Sequence, residues 1–284
     1  MSAERKAIVL LVLTAALWSL AGVIIKSVAW NPLAIAGTRS AIAAAVLLAA
    51  VRPGNFTWSA PQLGGAVAYA VTVTLFVAAN KFTTAANAIL PQYTAPLWIA
   101  LFSPWFLKES ARWYDWPLIA LILAGIVLFF LDDLTAKCFL GNVMALTTGL
   151  SFAWLAMFLR KQKSGSPLES VFLGNVLTAL VCLPFVFGPG PSAHGSAALA
   201  WALLAVLGVF QLGLSYILYT AAIRHVTALE AMLIPALEPI LNPLLVLLVI
   251  GERPGLRAIA GGAMVLAAVA ARGVLSMRKG MGNG

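Results

Sequence analysis

A carboxylate, Glu238, lies in the middle of a long apolar stretch, where Pro235, Pro239 and Pro243 surround it. Each proline lacks a backbone donor, so a carbonyl oxygen in the preceding turn of a helix is left free. A carboxyl group in apolar surroundings needs a cavity or a partner. We therefore expect Glu238 to bind an amine of a ligand or to carry a coupled proton. The alternative is that it ties a broken helix together through hydrogen bonds.

Two other apolar stretches carry matching stripes of small polar and aromatic side chains. Thr72 and Phe76 are four residues apart, and Gln211, Ser215 and Tyr219 continue at the same spacing. Residues four apart share one face of a helix, and such a face is typical of a wet cavity wall. The alternative is helix–helix hydrogen bonding, worth about 0.6–2 kcal/mol per contact. We expect the cavity and regard all five as ligand-binding candidates.

Aromatic residues remote from the ends of the apolar stretches are further candidates. Trp18 and Trp154 occupy matching places, 154 − 18 = 136 residues apart. Their rings can stack on an aromatic or cationic ligand, and tight core packing is the alternative. The remaining binding candidates are Tyr93, Thr94, Trp98 and Asn242.

Arg39 is the one cation well inside an apolar stretch. A cation there pairs with a carboxylate or with backbone carbonyls. We expect a structural role, in which Arg39 pairs with Glu238 or with carbonyls that the prolines free. The alternative is that Arg39 binds an anionic group of a ligand.

The composition places most of the chain in lipid. Of its 284 residues, 62% are hydrophobic and only 10% are charged, whereas soluble domains carry about 25% charged residues. The net charge of +9 comes from basic residues scattered in short loops, which argues against a nucleic-acid partner. No HExxH, GxSxG or P-loop motif occurs, and the two cysteines have no metal spacing. We expect no catalytic residue, no metal and no cofactor.

Ten stretches reach the length of about 20 apolar residues that a membrane-spanning helix needs. The sequence thus predicts an all-α polytopic membrane protein. The predicted spans are 7–27, 32–51, 61–81, 85–107, 115–132, 139–160, 168–187, 197–222, 228–250 and 255–275.

The basic residues predict the orientation of these spans. With the N-terminus inside, the inner loops and tails hold twelve Lys and Arg and the outer loops five; Arg39 completes the 18. Lys and Arg collect on the cytoplasmic side. We expect a multi-pass protein of the bacterial cytoplasmic (inner) membrane with both termini in the cytoplasm. The first apolar run, 7–25, exceeds the signal-peptide core of about 7–15 residues, so we expect it to be retained.

The chain repeats itself at an offset of 143 residues. Pro96 and Pro239 are 239 − 96 = 143 apart, and Glu109 and Glu252 are 252 − 109 = 143 apart. The predicted halves are 1–135 and 136–284. Because each half has five spans, an odd number, the second half enters the membrane from the opposite face. We expect both prolines and both glutamates to be structural, with the glutamates capping or latching helix ends. Glu238 has no such counterpart, since the repeat places Ala95 opposite it.

These residues resemble the EamA family of the drug/metabolite transporter superfamily along essentially the whole chain. The most specific segments are Asn87-Ala-Ile-Leu-Pro-Gln-Tyr-Thr-Ala-Pro96 with Lys108-Glu109, and Leu237-Glu238-Pro239-Ile-Leu-Asn242-Pro243 with Gly251-Glu252. The segments around Trp18 and Trp154, and Arg39, also fit. The resemblance implies a central cavity lined by helices 1, 3, 4, 6, 8 and 9, and the export of amino acids, other metabolites or drugs, driven in some members by protons.

Together these features predict a secondary active transporter. We expect it to export a small metabolite (an amino acid, an amine or a lipophilic cation) by alternating access, with Glu238 as the proton-coupling candidate. Its partners would be the small-molecule substrate, the lipid bilayer and protons, in a monomer or homodimer. An uptake or exchange permease is the main alternative. A non-transporting partner of a larger complex and a membrane-embedded enzyme are remoter ones.

Overall fold

The computed structural model describes residues 3–110, 112–130, 136–165, 167–235, 237–253 and 255–280. Over these residues the secondary structure is helical apart from loops and isolated bridges such as that between Ala29 and Ser192. Six of the described helices are long and apolar enough to cross a membrane, and shorter apolar helices accompany them. Lipid-facing side chains on these helices need no polar partner, whereas every backbone donor inside the bilayer does, which favours helices throughout.

Each α-helix lies at a predicted span, and the 3-10 turn Pro53–Asn55 lies in the loop between the second and third spans. In the first half, α1 comprises Ala3–Trp18 and Leu20–Ser27, α2 is Pro32–Leu48, α3 is Ala60–Phe82, α4 comprises Ala85–Ile89, the 3-10 turn Pro91–Thr94 and Ala95–Phe106, and α5 is Asp115–Phe130. In the second half, α6 is Ala136–Lys161, α7 is Pro167–Cys182 with the 3-10 turn Leu183–Phe187, α8 comprises Ala197–Val206, the π-helical segment Leu207–Leu214 and Ser215–Ala222, α9 comprises Ala228–Leu233 and Glu238–Ile250, and α10 is Leu256–Gly280.

Helices α4 and α9 are broken at corresponding places. Pro91 follows the first piece of α4 and Pro235 follows the first piece of α9. Each second piece carries its repeat-matched proline, Pro96 or Pro239, as its second residue, where the missing N–H costs no helical hydrogen bond. The breaks therefore follow directly from the spacing of the prolines.

The two halves are interleaved rather than side by side. Helix α3 packs against α6 and α7, and α2 packs against α7 and the π-helical segment of α8. Gly174 of α7 allows one of these close approaches, because a Cβ there would lie 2.7 Å from Tyr69 Cβ of α3. Small residues are the usual means by which membrane helices approach each other, since lipid offers them no hydrophobic driving force.

The ends of α4 and α9 show that these helices run in opposite directions. Glu252, just after α9, accepts the N–H of Ala85 at the start of α4. Glu109, just after α4, accepts the N–H of Ala228 at the start of α9. The end of each helix thus lies beside the start of the other. The predicted fold class, ten transmembrane helices as two inverted five-helix repeats, is confirmed.

Candidate functional site

A small cavity lies where the two halves meet. The first half contributes Trp18, Arg39, Thr72, Val73, Phe76 and Gln92 to its wall, and the second half contributes Phe152, Gln211, Leu212, Tyr216 and Glu238. Its volume of about 30 Å³ is room for one or two water molecules, whereas ligand pockets are usually about 300–1,000 Å³. The chain is therefore closed around this site.

Glu238 is held at the wall by the break in α9. It is the first residue of the second piece of α9, where the helix dipole favours a negative charge. Only 3% of it is exposed. Tyr93 Oη lies 3.3 Å from Glu238 Oε2 and 3.0 Å from the carbonyl oxygen of Pro235, which also accepts the backbone N–H of Glu238 at 3.0 Å. Among the described side chains, this carboxyl has the Tyr93 hydroxyl as a partner and no cation within ion-pair distance.

Arg39 lies on the same wall without a counter-ion. Its Nη1 donates to Gln211 Oε1 and its Nη2 to the carbonyl oxygen of Val73, both at 2.9 Å. Its Nε has no acceptor in the described structure, and no described carboxylate, Glu238 included, lies within ion-pair distance of it. The expected pairing of Arg39 with Glu238 is thus absent from the described structure. The expected bond to a backbone carbonyl is present, but no proline frees that carbonyl, which belongs to Val73.

Aromatic rings form the apolar part of the wall. The Trp18 ring lies 5.5 Å from that of Phe152, 5.3 Å from that of Tyr216 and 5.2 Å from that of Tyr219, in edge-on or tilted geometry. Ser215 fixes the indole by accepting its Nε1–H at 2.9 Å. The predicted residues Ser215 and Tyr219 therefore stand behind Trp18 instead of lining the cavity, whereas Thr72, Phe76 and Gln211 line it.

One end of the molecule is closed by Glu252. Its Oε2 lies 2.7 Å from Lys26 Nζ at the end of α1, and its Oε1 accepts the N–H of Ala85 at 2.6 Å. Lys26 also donates to the carbonyl oxygen of Thr83, at the end of α3. A carboxylate from the second half thus binds two helix ends of the first half directly and a third through Lys26; we call this the Glu252 latch.

The opposite end is closed by Glu109 in the same way. Its Oε1 accepts from Arg160 Nε at 2.8 Å at the end of α6, and its Oε2 accepts the N–H of Ala228 at 3.2 Å. Arg160 also donates to the carbonyl oxygens of Ile223 and Arg224, at the end of α8. This Glu109 latch is the inverted copy of the other, with the halves exchanged. Neither carboxylate lies at the cavity, and both make the cap-and-latch contacts expected of them.

The sequence profile of the EamA-like transporter family matches residues 5–131 and 139–271, which is nearly the whole chain. The chain belongs to this family. As an EamA-like protein it is a membrane transporter, and the resemblance stated from its sequence is confirmed. The two matched stretches frame the predicted boundary after residue 135, which itself stays a prediction.

Two comparisons accompany this assignment. An uncharacterized transporter of Archaeoglobus fulgidus is 28% identical over 210 residues, which are 73% of this chain and 74% of that protein. A crystal structure with 19% sequence identity superposes with a TM-score of 0.73 over 96% of this chain and 98% of the other. At that identity the crystal structure supports the fold alone.

Two tryptophans expected at the substrate site of this EamA-like transporter lie elsewhere. Trp154 stacks on Phe102 at 5.3 Å, in a cluster that also holds Trp98, whose indole donates to Thr94 Oγ1. Thr94 itself bonds the carbonyl oxygen of Pro91 inside the bend of α4. None of the three lines the cavity in this closed structure.

The latches explain why Phe152 takes the place expected for Trp154. Lys26 of one latch and Arg160 of the other occupy equivalent positions, 160 − 26 = 134 residues apart. At the same offset the counterpart of Trp18 is Phe152, since 18 + 134 = 152. The 134 offset also matches Thr14 with Thr148, which both bond the carbonyl oxygen four residues back. The first helices of the halves are therefore related by 134 residues and the fourth helices by 143. Basic residues at the ends of α1 and α6 were the signal for this register.

Tyr216 was missed because α8 is not a regular α-helix. Gln211 lies in the π-helical segment, where residues five apart share a face, and 211 + 5 = 216. The spacing of four predicted Ser215 and Tyr219 instead. The segment unwinds where Gly208 and Gly213 lie against Ile42 and Val46 of α2. Gln92 was also missed, and its position beside Tyr93 was the available signal.

Asn242 lies one turn beyond Glu238, toward the Glu252 latch. It is fully buried, and neither its Oδ1 nor its Nδ2 has a hydrogen-bond partner in the described structure. It packs directly on α1 at Gly22, where a Cβ would come within 1.9 Å of Asn242 Oδ1. Asn242 is thus outside the cavity wall, in the layer between the cavity and one end.

A second cavity of about 200 Å³ adjoins the Glu109 latch. Its wall includes Ser103 of α4, Leu229 of α9, and Glu109 and Arg112 from the loop after α4. A hydrogen bond to the Tyr114 hydroxyl raises the pKa of Arg112 above its ordinary value, so this arginine stays charged. The cavity is therefore a recess between α4 and α9 whose wall carries the charges of Glu109 and Arg112.

Proposed function

We propose that this EamA-like protein is a secondary active transporter that exports a small metabolite, namely an amino acid, an amine or a lipophilic cation. One observation carries the proposal: both halves build one cavity, and a carboxylate from each half closes one of its ends. Inverted repeats that rock about a central site work in this way. In the closed state described above both latches are engaged, and each open state requires the release of one of them.

The Tyr93–Glu238–Pro235 contacts support protons as the coupling ion. Tyr93 has one proton to donate, to Glu238 or to the Pro235 carbonyl. When Glu238 is ionised, it accepts a hydrogen bond from the Tyr93 hydroxyl. When Glu238 is protonated, it donates a hydrogen bond to Tyr93 Oη, and the Tyr93 hydroxyl then donates to the Pro235 carbonyl oxygen. Glu238 can therefore gain and lose a proton while the heavy atoms stay in place.

Uptake or exchange is the second candidate, because the two latches are built alike and neither direction is favoured by their contacts. We place the protein in the bacterial cytoplasmic membrane, as a monomer or homodimer, with both termini and the Glu109 latch on the cytoplasmic side. This placement rests on the distribution of Lys and Arg.

The test is flux in proteoliposomes under an imposed pH gradient, with wild type, Glu238→Gln and a matched control. Glu169→Gln serves as the control, because Glu169 is an equally buried carboxyl that lies away from the cavity and accepts from the backbone N–H of Arg52 and the side-chain amide of Asn55. We expect Glu238→Gln to lose the dependence on the pH gradient and Glu169→Gln to keep it. Unchanged proton dependence in Glu238→Gln would end its coupling role. If the wild-type protein transports none of the tested compounds, the proposal of a coupled transporter is wrong.

A further inference from the structure

The charge of Arg39 has no counter-ion among the residues that the structure describes. Its side chain is 1% exposed, and its bonded acceptors, Gln211 Oε1 and the Val73 carbonyl oxygen, are both neutral. The Nε–H has no acceptor in the described part of the chain. A buried guanidinium strongly prefers a carboxylate or phosphate partner. An arginine with a purely structural role would pair with such a group. The geometry is therefore best explained if Arg39 is a binding group for an anion.

Glu238 is the complementary charge on the same wall. It comes from α9 of the second half, while Arg39 comes from α2 of the first, and both line the cavity without forming an ion pair. A ligand that carries both an anionic and a cationic group can stabilise both residues, because its anionic group pairs with Arg39 and its cationic group with Glu238. The remaining wall is aromatic, from Trp18, Phe152 and Tyr216.

We propose that Arg39 binds the carboxylate of the substrate and Glu238 binds its ammonium group, so that the site selects zwitterions with an apolar side chain. This inference rests on the proposed function and narrows its substrate class. An amine alone leaves Arg39 without an anion, and a carboxylate alone leaves Glu238 without a cation. Unpaired buried charges discriminate strongly against such analogues. Because the closed cavity is small, the substrate enters when one latch opens.

The experiment compares ligands that differ only in their charged groups. Purified full-length protein is titrated with phenylalanine, 2-phenylethylamine and 3-phenylpropionate, and with the aliphatic set leucine, 3-methylbutylamine and 4-methylpentanoate. Binding is read by calorimetry and by the shift in melting temperature. We expect each zwitterion to bind on the order of thirtyfold more tightly than the amine or the carboxylate of the same set. Equal affinity for the amine and the zwitterion would overturn the role of Arg39.

A variant that keeps Arg39 provides the residue-level test. Gln211→Glu has the same shape and places a carboxylate against Arg39 Nη1, where Gln211 Oε1 now lies at 2.9 Å. We expect it to weaken zwitterion binding on the order of thirtyfold and to leave amine binding unchanged or stronger. Gln92→Glu is the matched control, since Gln92 lines the same cavity without bonding Arg39. Equal losses in both variants, or none in Gln211→Glu, would contradict the proposal.

Zwitterion binding and transport can fail separately. If liposomes transport other compounds while no zwitterion of either set binds, the inference is wrong and the transporter proposal stands. If a zwitterion binds with the expected preference but crosses no liposome membrane, the Arg39 assignment stands and the proposed transport fails.

Discussion

Glu252 and Lys26 form an ion pair across the two halves of the chain, with Oε2 2.7 Å from Nζ. Its inverted copy, Glu109 with Arg160, lies at the other end of the cavity at 2.8 Å. Each carboxylate also accepts a backbone N–H from the other half, so the ion pair and the helix cap are lost together. Each end of the site is therefore held by its own pair of side chains.

Removal of one latch should open one end. Glu252→Gln and Glu109→Gln each lose about 1–2 kcal/mol of closed-state stability, a shift of about tenfold in the population of one open state. With Cys138 and Cys182 replaced by serine, Thr72→Cys reports on the cavity. We expect a membrane-impermeant maleimide to label it from the outer face in Glu252→Gln and from the cytoplasmic face in Glu109→Gln. Labelling from the same face in both would rule out separate gates.

The Tyr93 hydroxyl is expected to matter for proton movement more than for binding. Tyr93→Phe keeps the ring but removes the donor shared by Glu238 and the Pro235 carbonyl. We expect pH-gradient-driven flux to fall by about tenfold or more, while ligand affinity at fixed pH changes little. A pH-sensitive dye inside the liposomes measures the proton flux. A parallel loss of binding and flux would assign Tyr93 to the substrate instead.

Two tryptophans offer a matched comparison. Trp18→Phe loses the bond to Ser215 and part of the cavity wall, so we expect the KM for transport to rise severalfold. Trp154→Phe changes only the cluster with Phe102, so its effect should appear in the melting temperature and not in the KM. Radiolabelled uptake and thermal unfolding in detergent measure the two effects. The reverse pattern would restore Trp154 as a binding residue.

Close packing of α1 on α9 gives a stability prediction. Gly22→Ala drives a methyl group into Asn242, which should cost about 1–3 kcal/mol and lower the melting temperature. The double variant Gly22→Ala with Asn242→Ala should recover most of this loss. Gly54→Ala is the control, because nothing lies within 4 Å of a Cβ at Gly54. Failure of the double variant to recover would show that Asn242 is not the obstacle.

Orientation is tested by labelling single cysteines in two loops. Gly54→Cys lies between α2 and α3, and His194→Cys lies between α7 and α8. In spheroplasts of the cysteine-free background, we expect an impermeant maleimide to label position 194 and to spare position 54 until the membrane is permeabilised. Reversed labelling would place both termini outside.

Much of the fold is encoded locally and is therefore legible in the chain itself. Apolar runs bounded by charge, Pro and Gly predict helices of the right length, since the bilayer leaves few alternatives. The 143-residue offset predicts the inversion, and α4 and α9 show it through the positions of Ala85 and Ala228. Pro96 and Pro239 were expected to be structural, and each is the second residue of the second piece of its broken helix.

The face that each helix turns to the cavity was decided only in three dimensions. The π-helical segment of α8 shifts the lining residue from Ser215 to Tyr216, and the 134-residue register of α6 substitutes Phe152 for Trp154. Sequence alone identified Glu238 and Arg39 as charges inside apolar runs, because a charge in an apolar run is visible at once. Their arrangement on one wall without an ion pair depends on how α2 and α9, from opposite halves, pack around the cavity. No spacing along the chain encodes the distance between the two side chains.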